Sequence, residues 1–425
     1  MNAGRHAADG RARWVLVVLL ALGLVVRLAL ALVTPEARAV RFPDSAEYLA
    51  IGESVVAGRG FVLPERVMGE RKLAQRMPGY PLLVAAAWWW ADAPVRALLS
   101  AQAVMGAATV ALVAWMAWRL AGVWAAVVAV ALLAFDPYQA YFAALVLVEV
   151  PLGLALTAAL AAGLVFLEAE RGRWAWAVVA GLALAVATYL HPSALGFAAL
   201  VGVLAIFARR RRRFLAAWAL GTAACLAALA PWAARNAARL GRPVLTTNVG
   251  ASLYDGTQVE QGGASDLSFR ERVAAETAAL DEVGRDAFFR RRATERIAAD
   301  PVAWMHLGLK KVARTWSPGP NLAEGQTPLH QLAGYTSLLP TAALAVVALV
   351  ALARRRRAVA VWLVAPAVYV TMLHAVFVGS VRYRLPAMPA LAVLGGVGLA
   401  ALLTRRPAER AATRTDGPEP AKETA

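Results

Sequence analysis

Residues 14–33, with the sequence WVLVVLLALGLVVRLALALV, form an apolar run of 20 residues that only Arg27 interrupts. An α-helix needs about 20 mainly apolar residues to cross the roughly 30 Å of hydrocarbon in a bilayer. The apolar core of a cleavable signal peptide is shorter, about 7–15 residues. We therefore interpret this run as an uncleaved first membrane span, in which Arg27 either snorkels or pairs with neighbouring helices.

The rest of the chain continues this pattern. Hydrophobic residues make up 60% of the 425 residues, and the mean hydropathy is +0.56, whereas an ordinary soluble domain is about 45–50% apolar. The sequence therefore predicts an all-α polytopic membrane protein with about ten transmembrane helices. The predicted spans are residues 14–33, 96–118, 121–135, 150–167, 174–190, 193–208, 214–233, 335–353, 358–377 and 386–403.

Basic residues lie at alternate connections between these spans. The net charge is +17, but the arginine runs 209–213 and 354–357 adjoin apolar spans, as in cytoplasmic connections, and do not indicate a nucleic-acid surface. This pattern predicts one membrane domain over residues 1–403 with both termini in the cytoplasm, and a disordered cytoplasmic tail over residues 404–425. Arginine far outnumbers lysine and alanine is abundant, which favours a bacterial protein of the inner membrane.

Two predicted outer segments are long, residues 34–95 and 234–334, and both carry helical patterns. In the first, Asp44 opens a short helix that we expect to lie on the membrane surface. In the second, Asp300 and Pro301 begin an amphipathic helix that we expect at the membrane interface. The basic residues that this second helix would offer to lipid phosphates are Lys310, Lys311 and Arg314.

The polar residues that could carry chemistry gather on the predicted outer side. Arg382 and Arg384 lie there against the preference of arginine for the cytoplasmic side, which indicates a function. Acidic residues at the ends of membrane spans also usually mark function. The gathering predicts an active site at a membrane surface. Its members are Asp44, Glu47, Arg76, Glu149, His191, Arg235, Asn236, Arg382 and Arg384.

Short motifs on this side occur in a characteristic order. They are PDSAEY at 43–48, RMPGYP at 76–81, VEVP at 148–151, PWAARN at 231–236 and RYRLP at 382–386. Together they resemble the GT-C superfamily of integral membrane glycosyltransferases, in particular bacterial proteins similar to dolichyl-phosphate-mannose protein mannosyltransferases and lipid A aminoarabinose transferases. The resemblance implies transfer of a sugar from a polyprenyl-phosphate donor to an acceptor outside the cytoplasm, which is a protein, a lipid or a glycan.

The resemblance also implies a catalytic carboxylate in the first outer loop, and Asp44 matches it. A carboxylate there would deprotonate or orient the acceptor hydroxyl, and Glu47 is the second catalytic candidate. Asp44 would also be a metal ligand if a divalent ion is used. Arginines would stabilise the departing phosphate, because their planar fork binds its oxygens in pairs. The candidates for substrate binding are Arg76, Tyr80, Glu149, His191, Arg235, Asn236, Arg382, Tyr383 and Arg384.

Two positions depart from the family pattern. Some protein mannosyltransferases have an acidic pair at the first-loop site, whereas here Ser45 follows Asp44 and Glu47 lies one helical turn further on. The cofactor therefore stays open, including whether a divalent ion is needed. His191, before Pro192, stands where relatives often have arginine.

Structural roles remain open for several of these residues. Asp44 could cap a helix, Glu47 could be a solvated charge on a helix face, and Glu149 could gain from a helix dipole. Arg235 could snorkel from its span, and His191 could satisfy a backbone carbonyl.

Other functions also remain open. A transporter or flippase would use acids and histidine to relay protons or hold substrate, although its site is expected near the bilayer midplane and between inverted repeats. An enzyme that ligates or polymerises lipid-linked glycans could share the large outer segment. The expected partners are a polyprenyl-phosphate sugar donor, membrane lipids and an extracytoplasmic acceptor, with no nucleic acid.

Overall fold

The computed structural model describes residues 2–321 and 327–412, and the regular structure in them is helical apart from one isolated bridge between Leu63 and Lys72. The all-α prediction is confirmed. The helices are α1 Asn2–Val33, α2 Glu36–Ala39, α3 Pro43–Val56, α4 Glu65–Met68, α5 Gly79–Trp90, α6 Pro94–Ala121, α7 Val123–Ala134, α8 Pro137–Ala143, α9 Glu149–Glu168, α10 Arg173–Leu190, α11 Leu195–Ile206, α12 Arg211–Leu240, α13 Val249–Asp255, α14 Phe269–Arg272, α15 Ala274–Thr277, α16 Glu282–Ala299, α17 Pro301–Thr315, α18 Pro328–Arg355, α19 Arg357–Val376 and α20 Met388–Ala412.

Eight helical segments among the described residues are long and apolar enough to cross a membrane. They contain α1, α6, α9, α10, α12, α18, α19 and α20. Each of the ten predicted spans coincides with a helix, but the third and sixth, α7 and α11, have only 12 residues each. A helix of that length rises only about 18 Å. These two short helices account for the difference from the predicted number, and α7 forms a bent pair with α8 at 57°.

Arg27 allows α7 to end inside the bundle. Its side chain is buried, and its guanidinium donates hydrogen bonds to the carbonyl oxygens of Gly23 at 3.0 Å, Leu133 at 3.2 Å and Ala134 at 2.9 Å. The last carbonyls of a helix have no partner within the helix, and lipid offers none. Of its two expected roles, Arg27 therefore takes that of pairing within the bundle.

A buried segment without helix, residues 144–148, leads from α8 to Glu149 at the start of α9. Gln102 donates hydrogen bonds of 3.1 and 2.8 Å to two carbonyl oxygens at its start, and Ser45 donates one of 2.9 Å to a third. Irregular backbone within a membrane protein persists where protein groups satisfy it. These bonds fix Glu149 beside α3.

α3 is the short helix that the sequence predicts at Asp44, and its inner face is buried in the protein. It lies against α5 so closely that a Cβ on Gly52 would be 2.4 Å from a methyl group of Val84. Burial is possible because Ser45 and Glu47 on the inner face have partners in the protein. The buried residues of α3 are Ser45, Glu47, Tyr48, Ala50, Ile51, Gly52 and Ser54.

α17 begins as predicted, with the side chain of Asp300 accepting a hydrogen bond of 2.8 Å from the amide of Ala303. Its exposed apolar residues Val302, Met305 and Leu309 fit a helix at a membrane interface. Lys311 differs from the prediction. It is fully buried, and its Nζ donates to the carbonyl oxygen of Val376 at 2.7 Å, so it caps α19 and is not available to lipid phosphate.

The last helix, α20, continues to Ala412 and so includes the first residues of the tail predicted to be disordered. Residues 413–425 lie outside the described residues.

Candidate active site

Asp44 lies in the first turn of α3, at the end of the bundle where α9 begins; we call this the site end. The helix starts at Pro43 with Phe42 before it, so Asp44 is not the N-cap. Its Oδ1 is 2.5 Å from Arg76 Nη2, and its Oδ2 is 2.5 Å from Arg382 Nη2. Both carboxylate oxygens are therefore bound to guanidinium groups.

Two further carboxylates extend this arrangement. Arg76 Nε is 2.7 Å from Glu47 Oε2, and Arg382 Nε is 2.6 Å from Glu149 Oε1. The order is Glu47, Arg76, Asp44, Arg382 and Glu149, which we call the charge row. Negative and positive groups alternate along it, so each buried charge has the partner that burial requires.

Four separate parts of the chain supply the charge row. Asp44 and Glu47 stand one turn apart on α3, Arg76 comes from the loop before α5, and Glu149 is the first residue of α9. Arg382 lies in the 3₁₀ turn Val381–Ala387 that precedes α20. The site is therefore formed by tertiary packing and not by one local motif.

The electrostatic environment fixes the ionisation of the groups here. Burial alone would raise the pKa of Asp44, but the charges and hydrogen bonds of Arg76 and Arg382 outweigh it and hold that pKa well below its ordinary value. Burial would lower the pKa of Arg76, but Asp44 and Glu47 raise it above the usual arginine value. Burial, with the positive charges of Arg76 and Arg382, lowers the pKa of His191 to about 3. His191 is thus neutral beside an ionised Asp44.

The charge row lines a cavity of about 430 Å³. Its polar wall also includes His191, whose Nδ1 lies 2.7 Å from Ser193 Oγ, and Tyr383, whose ring stacks on His374 at 4.2 Å between centroids. The other part of the cavity wall is apolar and is formed by side chains of α9 and α19. These are Leu152, Leu156, Val370 and Leu373. The cavity can therefore hold a ligand with a polar head and an apolar tail.

Two buried acceptor atoms of the cavity residues have no hydrogen-bond partner among the described residues. They are Gln75 Oε1 and Glu149 Oε2. Leaving a buried polar atom unpaired costs about 1–3 kcal/mol. A hydroxyl group of a bound ligand, or a water molecule, would remove that cost.

Four of the predicted substrate-binding residues lie outside the cavity lining. Tyr80 is fully buried and donates a hydrogen bond of 2.6 Å to Gln102. Arg384 is buried and donates to the carbonyl oxygen of Ser317. Arg235 donates to the carbonyl oxygen of Leu73 at 2.6 Å. 

Asn236 is the fourth of these residues, and its Nδ2 donates to the carbonyl oxygen of Val244 at 2.7 Å. Together with Arg235 it supports the loop that carries Arg76, since Leu73 lies three positions before that arginine. The contacts of these four residues are structural. The structure brings the other predicted residues, Asp44, Glu47, Arg76, Glu149, His191, Arg382 and Tyr383, to the cavity.

Sequence reasoning missed Arg270 and Gln75. Arg270 lies in α14 and lines the cavity, where its Nη2 donates to Asn248 Oδ1 at 3.2 Å. Its segment, between the seventh and eighth predicted spans, has little motif content and gave no signal. Gln75 precedes Arg76, and adjacency to that motif was the only signal available.

The sequence leaves open whether a divalent ion is used, and the residues of the cavity do not fit one. Among the described residues, no group of three or more His, Cys, Asp or Glu side chains could hold a metal ion. Both oxygens of Asp44, the expected ligand, are bound to guanidinium groups. The guanidinium groups of Arg76 and Arg382 occupy the positions beside the carboxylate that a metal ion would need.

A comparison with protein families finds a match, which includes part of the charge row. The family model described as dolichyl-phosphate-mannose-protein mannosyltransferase matches residues 75–234, which include Arg76, Glu149 and His191. No curated protein matches the sequence.

Solved structures show the fold. The oligosaccharyltransferase AglB from Archaeoglobus fulgidus, in complex with an inhibitory peptide and a dolichol-phosphate, is similar with a TM-score of 0.60 and 16% identity over 97% of this chain and 52% of that chain. The same organism's oligosaccharyltransferase tethered with an acceptor peptide gives a TM-score of 0.57 and 16% identity over 93% and 50%. The chain thus spans about half the length of these proteins.

ArnT from Cupriavidus metallidurans bound to undecaprenyl phosphate is less similar, with a TM-score of 0.46 and 16% identity over 95% of this chain and 81% of that chain. The family match and the fold of the archaeal structures support the resemblance that the motifs predict: the chain has the fold of the archaeal oligosaccharyltransferase structures, and its residues 75–234 match the dolichyl-phosphate-mannose-protein mannosyltransferase model.

Proposed function

We propose that this protein transfers a sugar from a polyprenyl-phosphate carrier to the hydroxyl group of an acceptor. The observation that carries the proposal is the position of Asp44 between Arg76 and Arg382 on the wall of a cavity. A carboxylate next to cations is what transfer from a sugar phosphate needs, because one group must take a proton while another stabilises phosphate charge. The family match supports the same reaction.

The cavity has a polar and an apolar wall, and this combination supports a lipid-linked donor. The isoprenoid next to the phosphate would lie along Leu152 and Leu156 of α9 and Leu373 of α19, and the sugar would face the charge row. The unpaired acceptors Gln75 Oε1 and Glu149 Oε2 would take hydrogen bonds from sugar hydroxyls.

The reaction breaks the bond between sugar C1 and the phosphate oxygen and forms a bond between C1 and the acceptor oxygen. The acceptor hydroxyl loses its proton, and the polyprenyl phosphate leaves with one additional negative charge. Asp44 is ionised but is a weak base, since Arg76 and Arg382 hold its pKa low. It therefore orients the acceptor hydroxyl first, and takes the proton late, once bonding to C1 has made that oxygen strongly acidic.

Arg270 is the cavity arginine best suited to the departing phosphate. Arg76 and Arg382 each contact two carboxylates. Arg270 contacts Asn248 and has no carboxylate within 4.0 Å among the described side chains. Its guanidinium is therefore not occupied by a carboxylate, and a guanidinium can bind phosphate oxygens in pairs.

The location of the charge row favours transfer over transport. Glu149 begins α9, and Arg382 precedes α20, so both stand at helix ends and not at the middle of a span. Midplane sites on broken helices are typical of secondary transporters. We further propose that the protein lies in a bacterial inner membrane with its termini in the cytoplasm and the site end outside. The arginine runs at 209–213 and 354–357, at the other end of the helices, support this orientation.

The test compares cells that produce the wild-type protein, Asp44→Asn protein or neither. Mass spectrometry of envelope glycans, glycolipids and glycoproteins should find one sugar modification with the wild type alone. Membrane abundance of Asp44→Asn and its elution as a single species in detergent provide the folding control. A normal level of the modification in cells with folded Asp44→Asn would refute the proposal.

A further inference from the structure

A second cavity, of about 540 Å³, lies between α9, α10, α11, α12 and α19, away from the charge row. Its walls are apolar and include Phe166, Leu184, Val201 and Trp362. Phe166 follows Glu149 by 17 residues along α9, which places that part of the cavity about 25 Å from the charge row. It is therefore a separate site, at the opposite end of the bundle. Its volume is within the range of about 300–1,000 Å³ that is usual for ligand pockets.

Four arginines also line this cavity. They are Arg209, Arg210, Arg213 and Arg357. None of them has a carboxylate within 4.0 Å among the described side chains. The acid nearest to this part in sequence, Glu168 at the end of α9, is already paired with Arg119 at 2.5 Å and Arg356 at 3.1 Å. The four positive charges are therefore not neutralised by the protein.

Arg213 shows that one of these charges is held in place. Its guanidinium lies 5.2 Å from the ring centre of Phe166 and 6.0 Å from that of Phe214. Its Nε is buried and has no hydrogen-bond partner. A donor that is fixed, charged and unpaired at an apolar cavity indicates an anionic acceptor atom next to apolar groups.

We propose that this cavity binds an anionic phospholipid from the leaflet at this end of the bundle. The phosphodiester contacts Arg213 and its neighbouring arginines, and an acyl chain lies against the apolar walls of α9 to α12. A zwitterionic lipid fits less well, because its headgroup would bring a further cation to a place where four arginines have no carboxylate partner. This site is independent of the sugar and acceptor used at the charge row.

The test is native mass spectrometry of the full-length protein in detergent with equal amounts of phosphatidylglycerol and phosphatidylcholine of matched acyl chains. We expect one phosphatidylglycerol to bind in preference to phosphatidylcholine. The double variant Arg210→Gln/Arg213→Gln should weaken that binding about tenfold or more. The matched control is Arg354→Gln/Arg355→Gln, which removes two exposed arginines of the neighbouring α18 that do not line the cavity.

Equal binding of the two lipids, or an equal loss in both double variants, would overturn the proposal. Ala180→Trp tests the apolar part, because Ala180 lines the cavity and an indole there would occupy part of its volume. We expect it to weaken phosphatidylglycerol binding although all four arginines remain. If Arg213→Gln prevents folding, Arg210→Gln and Ala180→Trp carry the test. Displacement of the lipid by an equal concentration of glycerol 1-phosphate would show a site for free phosphate and would also contradict the proposal.

Discussion

Asp44 and Arg382 are 338 positions apart in the sequence, and their side chains meet at 2.5 Å. Arg76 approaches the other oxygen of the same carboxylate at the same distance. Each arginine also holds a second carboxylate, so loss of one charge does not leave an isolated buried cation. Because each arginine contacts two carboxylates, a substitution at one of them can change sugar transfer without unfolding the protein.

Asp44→Asn should lower the rate of sugar transfer by about 10²–10⁴, the usual contribution of a positioned proton acceptor. The fold should survive, since Arg76 keeps Glu47 and Arg382 keeps Glu149 as partners. The measurement is initial rate with a purified lipid-linked donor, together with the thermal midpoint. The matched control is Glu53→Gln, which removes an exposed carboxylate from the same helix and should leave the rate unchanged. Equal rates for wild type and Asp44→Asn would rule out Asp44 as the catalytic carboxylate.

Arg382→Lys should lower the transfer rate at least tenfold although the charge is kept. The planar guanidinium reaches Asp44 with Nη2 and Glu149 with Nε, and a lysine ammonium cannot reproduce this fork. Arg384→Lys provides the contrast, because Arg384 contacts backbone carbonyls outside the cavity. Its main effect should be a lower thermal midpoint. The assignment fails if Arg384→Lys lowers the rate of the folded enzyme more than Arg382→Lys does.

Arg270→Gln should raise the KM for the lipid-linked donor and lower kcat, with little change in thermal midpoint. Arg270 makes no ion pair within 4.0 Å among the described side chains, so its removal leaves no carboxylate without a partner. Steady-state kinetics with varied donor concentration measure the effect. Arg272→Gln is the matched control, because Arg272 lies on the same short helix and is exposed. Similar kinetics for both variants would exclude a phosphate contact at Arg270.

His191 should make the protein less stable as the pH falls below about 6.5, the unperturbed histidine pKa. In the folded state the pKa of His191 is lowered to about 3, mainly by burial and then by Arg76 and Arg382. The unfolded state therefore takes up a proton between these values and the folded state does not, so the free energy of unfolding decreases by up to about 1.4 kcal/mol per pH unit in this window. Thermal midpoints between pH 7 and 5 should show a smaller slope for His191→Gln than for wild type or for the exposed control His306→Gln. Identical slopes would contradict the assignment.

Chelation of divalent ions should leave transfer unchanged. Asp44 already has both oxygens bound to arginines, and the described residues contain no cluster of three metal-ligating side chains. The rate is measured with EDTA and again after Mg²⁺ or Mn²⁺ is restored in excess. Loss of activity with EDTA that either ion restores would show that a metal ion displaces an arginine from the charge row.

Much of the site could be predicted from the sequence, and the errors have a common cause. Asp44, Arg76, Glu149 and Arg382 are predicted because they gather on one side of the membrane and lie in motifs that resemble those of the GT-C superfamily. Tyr80 belongs to the same motif as Arg76, yet its hydroxyl turns to Gln102, because a helix directs neighbouring positions to different sides. No periodicity in the sequence could reveal which side faces the cavity.

The second long segment illustrates the other limit. Arg270 lies 194 positions after Arg76 in a region without motifs. Its neighbour Phe269 packs against Tyr254 of α13 and Phe289 of α16, and this packing holds the short helix at the cavity. Lys311 is a residue that tertiary packing buries although the sequence predicts it to be exposed. Its helical spacing predicts an exposed lysine, but the end of α19 lies over it and accepts its hydrogen bond.

The sequence by itself determined the helical class and the approximate bounds of the long membrane helices, because the bilayer imposes a length of apolar residues that can be counted. It also determined which charges would be unusual. Only the tertiary structure decided which of these charges meet, since Glu47, Arg76, Asp44, Arg382 and Glu149 come from four parts of the chain. Buried charges are stable only beside opposite ones, and that pairing depends on distances in the folded bundle that no stretch of sequence contains.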